Sequence, residues 1–277
     1  MLYSDEIKAK VVKFMNDIEN VSNRKSGKEV FIDFLKVSCY AISNAVNKEN
    51  YESREKDYLH IIKNYDEKER TKLTSLFVDF GMILDECMAN KKIHDILGSV
   101  YSMKKYYDPH KGQYFTPEHV ASFMAAMTAD YANFRSFDVQ ELSEPTCGSG
   151  IMVLKTAENM MQNNINFQDS LLVNAWDLDL TCVLMAYLQF SLYGIPAIVV
   201  HGDSITHEIY SQWITPMMYS KDLNKKLQIK RSLEAIKEML DCNENEKIEK
   251  VPVINVDKTS IEFHTKKVKK VESISLF

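Results

Sequence analysis

A chain of 277 residues with 45% hydrophobic side chains can bury one large core or two modest ones and is too apolar to stay unfolded. No apolar run approaches the roughly 18–20 residues that cross a bilayer, and Met1-Leu2-Tyr3-Ser4-Asp5-Glu6 is no signal peptide, so a soluble cytoplasmic protein is expected. The net charge of −5 hides an asymmetry: residues 111–220 carry 3 basic and 11 acidic side chains, against 18 and 18 in residues 1–110 and 13 and 10 in residues 221–277. A nucleic-acid phosphate backbone would be repelled from that middle third, so if the chain touches DNA the flanks or a partner must provide most of the cations.

Residues 1–107 read as a helical domain. Apolar residues Ile7, Val11, Val12, Phe14, Met15 and Ile18 recur at helix spacing, and helices are expected at Glu6–Asn20, Glu29–Val46, Tyr51–Asn64, Glu67–Asn90 and Ile93–Lys105. No proline precedes Pro109, which suits a bundle. Thr116 reads as the N-cap of the next helix, with Pro117 in its first turn and Val120, Phe123, Met124 and Met127 as its buried face.

From residue 108 to 220 the pattern alternates strand and helix. Phe137–Leu142 reads as a strand, Glu144-Pro145-Thr146-Cys147-Gly148-Ser149-Gly150 as a tight turn and Ile151–Met161 as a helix. Two glycines let the backbone approach a ligand, and the helix start turns N–H groups and a positive end toward it. Leu171–Asp177 is a second strand, ending in a carboxylate placed to accept ribose hydroxyls; Asp179 caps the all-apolar helix Leu180–Leu192. Gly194 stops that helix, Ile195–Val200 is a third strand, and His201-Gly202-Asp203-Ser204 follows. The order gives a mostly parallel α/β sheet with helices on both faces and a ligand across its carboxyl ends. The five cysteines (Cys39, Cys87, Cys147, Cys182, Cys242) show neither a disulfide framework nor zinc-ligand spacing, and Cys147 has no nameable His partner for nucleophilic work.

The string Lys111-Gly112-Gln113-Tyr114-Phe115-Thr116-Pro117, followed some thirty residues later by Glu144 to Gly150, resembles the S-adenosylmethionine motifs of the DNA adenine-N6 methyltransferases, in particular the modification subunits of type I restriction systems. The resemblance covers about residues 105–220 and implies a Rossmann-like methyltransferase sheet and S-adenosylmethionine as cofactor. It implies that Gln113, Tyr114, Phe115, Thr116 and Pro117 pack around the methionine end, that Glu144, Thr146, Gly148, Ser149 and Gly150 form the cofactor turn, that Asp177 binds the ribose, and that Asp203 accepts from the adenine amino group. Glu144 stands where the family has Asp. By position, the helical residues 1–107 resemble the N-terminal domain that helps hold DNA and partners in those subunits; a plain packing domain is the other reading.

One family feature is missing. The family's fourth strand ends in Asn/Asp-Pro-Pro-Tyr/Phe, whose side chain and proline carbonyl hold the amino group of a flipped adenine while the ring stacks on the base. The six prolines here (Pro109, Pro117, Pro145, Pro196, Pro216, Pro252) include no adjacent pair. The candidate remnant is Ile214-Thr215-Pro216-Met217-Met218-Tyr219: Thr215 accepts one hydrogen bond but brings no carboxamide, and Tyr219 can stack, one residue late.

Residues 221–277 read as a basic amphipathic helix over Ser220–Leu240, a polar linker to Lys250, a small hairpin over Val251–Val256 and Thr259–His264, and a basic run at Lys266–Lys270. The terminal Ser273-Ile274-Ser275-Leu276-Phe277 resembles the Gln-Leu-Ser/Asp-Leu-Phe peptide that bacterial replication proteins insert into the sliding clamp, matching at Ser275, Leu276 and Phe277. Two functions follow. One is a catalytically impaired methyltransferase-like protein that binds DNA or proteins; the other is an active adenine methyltransferase of bacterial, phage or mobile-element origin working with a specificity partner.

Overall fold

The computed structural model describes residues 4–107 and 116–243, with side chains to residue 235. Five helices open the chain: α1 (Asp5–Glu19), α2 (Gly27–Val46), α3 (Tyr51–Ile62), α4 (Glu67–Ala89) and α5 (Ile96–Met103). The starts of α1, α2, α4 and α5 are set by side-chain caps, while α3 has none. Ser26 with Glu29 and Asp66 with Glu69 form reciprocal capping boxes, satisfying N–H groups that a helix start leaves open. α5 begins later than the expected Ile93 because Asp95 supplies the cap, accepting from Gly98 N.

The rest is α6 (Glu118–Thr128), β1 (Gln140–Glu144), α7 (Ile151–Gln162), the single turn α8 (Phe167–Ser170), β2 (Leu171–Asp177), α9 (Leu180–Tyr193), β3 (Ala197–Asp203), β4 (Glu208–Ile214), a 3-10 turn at Pro216–Tyr219 and α10 (Lys221–Asn243). The fold is α/β with a mostly parallel, Rossmann-like sheet in the order β1-β2-β3-β4. β1, β2 and β3 are parallel; β4 returns antiparallel beside β3, pairing Ile198 with Ile214 and Asp203 with Glu208.

Alternation along the strands separates two faces. Leu171, Val173, Ala175, Ala197, Val199 and Trp213 point into the main core together with α7 and α9. On the other face Leu172, Trp176, Ile198 and Ile214 are half-buried and Asn174 is exposed. α10 reaches this side, where Lys230 pairs with Glu141. α9 is buried on nearly every side because it lies between the sheet and α2 and α4, where the Cys39 thiol donates to Leu184 O at 3.4 Å. One apolar core therefore runs from Phe14, Phe34 and Phe80 through α9 to Val173 and Val199. Arg54 of α3 adds a polar tie to the hairpin: its guanidinium donates to Gln212 O at 2.6 Å and stacks 4.0 Å from the Trp213 ring.

The chain divides into compact units Met1–Glu234 and Ala235–Phe277. Among the described residues the four strands and α1 to α9 lie in the first unit, and α10 contributes residues to both. The expected hairpin at 251–264 and the basic run at 266–270 lie outside the described residues. Among the described residues no helix is long and apolar enough to cross a membrane.

Two local expectations are corrected. Pro117, not Thr116, is the N-cap of α6, and no side chain caps that helix. Its buried residues are Ala121 and Ala125, whereas Val120 (38%), Phe123 (63%), Met124 (45%) and Met127 (70%) are exposed. Small residues four apart let α6 lie close on α7, which turns the larger side chains outward.

Candidate functional site

The carboxyl ends of the three parallel strands each carry a carboxylate: Glu144 on β1, Asp177 on β2 and Asp203 on β3. After Glu144 the chain turns into α7 through Gly148 (φ 55°) and Gly150 (φ 98°), both in the left-handed region that favours glycine. The turn is tied to the end of β2. Cys147 N donates to Trp176 O at 2.7 Å, and Gly148 N donates to Asp177 Oδ2 at 2.8 Å. Asp177 Oδ1 accepts from Asp179 N at 2.8 Å, and Asp179 caps α9 through Thr181 N.

The sequence-derived acids thus differ in setting. Burial raises the Asp177 carboxyl above the usual Asp range, against the two N–H bonds that favour its charge. Asp203 accepts from Ile205 N at 2.8 Å and Thr206 N at 3.2 Å; these bonds shape the β3–β4 turn and lower its pKa. Glu144 meets Thr146 N at 3.4 Å, and Thr146 is exposed. Cys147 is buried, which pushes its thiol well above the normal range, so it is a turn residue with no thiolate character. Among the described residues no cluster of three or more His, Cys, Asp or Glu is placed to hold a metal ion.

Beside the turn lies a cavity of about 380 Å³, lined by Asp95, Gly98, Ser99, Ser102 and Met103 from α5 and its cap, Thr116 to His119, and Ile151 of α7. Thr116 and Pro117 are thereby brought to the first residue after the glycine turn. Gln113, Tyr114 and Phe115 lie outside the described residues. The wall is held by a buried ionic cluster that sequence reasoning did not find. Lys155 Nζ, on a residue 3% exposed, reaches Glu118 Oε1 at 2.5 Å, Glu158 Oε2 at 2.9 Å and Ile93 O at 2.6 Å. His94 Nδ1 lies 2.5 Å from the same Glu118 oxygen. Burial alone would raise the Glu118 carboxyl, but His94 and Lys155 outweigh it and hold it at about 2. A second buried group, Asp95 with Ser149 and Gln189, backs the turn itself. One signal was visible in the sequence: Gln189 is a lone amide inside an otherwise apolar helix.

The expected base-binding residues are not at this edge. β4 runs antiparallel, so Thr215, Pro216 and Tyr219 lie beside the start of β3, about 20 Å along a seven-residue strand from Asp203. Thr215 is fully buried. Its hydroxyl accepts from Ala197 N at 2.8 Å and donates to Ile195 O at 2.8 Å, which occupies it in closing the hairpin. Pro216 opens the 3-10 turn, and Tyr219 is exposed at that far end. In this structure these three residues cannot meet a base presented to the carboxyl edge.

A family model described as N-6 DNA Methylase matches residues 92–221. Among solved structures the chain is similar to a putative class I S-adenosylmethionine-dependent methyltransferase from Listeria monocytogenes, with 13% identity over 73% of this chain and 55% of that one and a TM-score of 0.41. It is also similar to the type I restriction-modification system methyltransferase subunit from Streptococcus thermophilus, with 13% identity over 74% of this chain and 60% of that one and a TM-score of 0.37. The chain thus spans little more than half the length of either. No curated protein matches.

Proposed function

We propose that this chain, whose residues 92–221 match the N-6 DNA Methylase family model, binds S-adenosylmethionine, the cofactor of that family, at the carboxyl edge of its sheet. In this reading it serves DNA modification as a methyltransferase-like component that does not transfer the methyl group alone. The observation that carries the binding is Gly148 N donating to Asp177 at 2.8 Å, which sets a half-buried carboxylate against a left-handed glycine turn. The residues fit the group. Asp177 keeps lone pairs for a diol, and a side chain built at Gly148 would meet nothing within 4 Å, so the turn is open on that side. Thr116 and Pro117 would border the amino-acid end, and Asp203 the adenine. When bound, the cofactor supplies an electrophilic methyl on a sulfonium; the chain's residues orient it and the cavity limits water around it.

The reading without independent transfer rests on β4, which carries Thr215 to Tyr219 away from that edge. A second reading, transfer in the presence of a partner, is favoured by the position of β1. Among the described residues it is an edge strand, and ligand crevices in open α/β sheets form where strand order reverses, so a strand added outside β1 would create one beside the glycine turn. A specificity chain that also brings cations would bridge the acidic middle third to DNA.

The test is calorimetric titration of the protein with S-adenosylmethionine. Asp177→Ala is expected to weaken binding by at least about tenfold, the loss of a charge-assisted hydrogen-bond acceptor; unchanged affinity would remove Asp177 from the site. Labelled methyl incorporation into mixed DNA by the isolated chain is expected at background. Incorporation abolished by Thr215→Ala or Tyr219→Ala would overturn the reading.

For the tail, the partner in this proposal is the DNA sliding clamp, contacted by Ser275, Leu276 and Phe277. Immobilised clamp should retain the protein and release the Leu276→Ala, Phe277→Ala double variant; equal retention would end that assignment.

A further inference from the structure

We propose that Asp95 and Gln189 are positioning residues for the cofactor turn, fixing Ser149 from behind so that the two glycines keep their left-handed shape. The proposal rests on the reading that this turn holds S-adenosylmethionine, and it makes the cap of α5 part of cofactor recognition.

Ser149, the middle residue of the turn, is only 1% exposed, and its side chain points away from the open side. Its hydroxyl donates to Asp95 Oδ2 and its carbonyl accepts from Gln189 Nε2 at 2.9 Å. The other hydrogen of that amide goes to Asp95 Oδ1 at 2.9 Å, and Gln189 Oε1 accepts from Leu97 N at 3.2 Å. Asp95 Oδ1 also accepts from Gly98 N at 2.9 Å. Every hydrogen of the Gln189 amide is therefore committed, and both polar atoms of Ser149 that face inward are held.

A Gly-Ser-Gly segment has little preference of its own for one backbone shape, so its geometry must be imposed from outside. Apolar packing would impose it at lower cost, because taking a carboxylate out of water disfavours folding even when it is hydrogen-bonded. What hydrogen bonds add is direction: they fix the orientation of the turn's peptides and so where Gly148 and its partner Asp177 stand, which matters to a ligand and not to a core. The site agrees, since Asp95 lines the same cavity as Thr116 and Pro117. Gly98 fits the same design, because a methyl there would collide with both the Asp95 carboxylate and the Ser149 hydroxyl.

The experiment titrates S-adenosylmethionine into the full chain and its Asp95→Ala, Asp95→Asn and Gly98→Ala variants, at a temperature where circular dichroism shows each one folded. Asp95→Ala should weaken binding by about tenfold or more, as loss of a buried acceptor does. Asp95→Asn keeps the oxygen that serves Gly98 and Gln189, and its amide can donate to the Ser149 hydroxyl; it should stay within about threefold of the wild type. Gly98→Ala improves helix propensity in α5 yet wedges the pair apart, and should lose about tenfold in affinity. Asp95→Ala or Gly98→Ala binding like a binding wild type would overturn the positioning role, as would an Asp95→Asn variant no better than alanine. Should Asp95→Ala not fold, Asp95→Asn and Gly98→Ala decide the question. A wild type that binds no cofactor overturns the underlying reading and this one with it, a result distinct from indifferent variants.

Discussion

Lys155→Met is expected to lower stability by about 3 kcal/mol at neutral pH, the low end of the cost of breaking such a pair, because His94 stays beside Glu118 and Lys92 beside Glu158. The ammonium has three hydrogens and three acceptors, Glu118, Glu158 and Ile93 O, so none is spare. Methionine replaces the stem and not the charge, leaving two acids facing each other between α6 and α7. The sign with pH follows from Glu118. Its folded pKa of about 2 lies below the ordinary 4.5, so its contribution is complete above pH 4.5 and is lost as pH falls toward 2. In the variant the share due to Lys155 is gone, while the share due to His94 remains. The gap between wild type and variant should therefore be widest near neutrality and should narrow between about pH 4.5 and 2. Urea midpoints at pH 7, 5 and 3 measure it; a gap of constant size would mean that the lysine acts through packing alone.

That cluster marks the limit of what the sequence conveyed. β2 was legible residue for residue, because Leu171 to Asp177 is an apolar run between punctuating residues, and α9 because nothing in it needs water. The glycine turn and its acid were legible as types at a spacing, though not as a Gly148–Asp177 hydrogen bond. β4 was missed for a physical reason. Along Glu208 to Ile214 the apolar residues follow no single alternation, and an irregularity at His201/Gly202 pairs Ile209 with Gly202, off the face that Trp213 shares with Val199. Arg54, Tyr40 of α2 and Tyr187 of α9, packed around Trp213, show which face is inside. α6 misled in the opposite way. Periodicity selects its large residues, whereas close approach to α7 selects Ala121 and Ala125. Asp95 looked like any residue before a helix, and its link to Ser149 spans 54 positions, beyond any local pattern.

Gly150→Ala should cost about 3 kcal/mol, combining left-handed backbone strain with an overpacked methyl. Its φ of 98° is unfavourable for any L side chain, and a Cβ there would strike the Phe190 ring on α9 while lying 3.4 Å from Ala186 Cβ. Gly148→Ala supplies the control. Its φ is 55° and nothing stands within 4 Å of its Cβ, so only strain remains, about 1 kcal/mol. The difference between the two isolates the close approach of turn and helix. A double-mutant cycle then assigns it to the ring: in a Phe190→Leu background, Gly150→Ala should cost at least about 1 kcal/mol less than in the wild type, since contacting residues couple by such amounts. Additive costs would show that the turn moves aside freely. Coupling would show that α9 sets the height of the turn above the sheet, and thus where a ligand resting on Gly148 and Asp177 must lie.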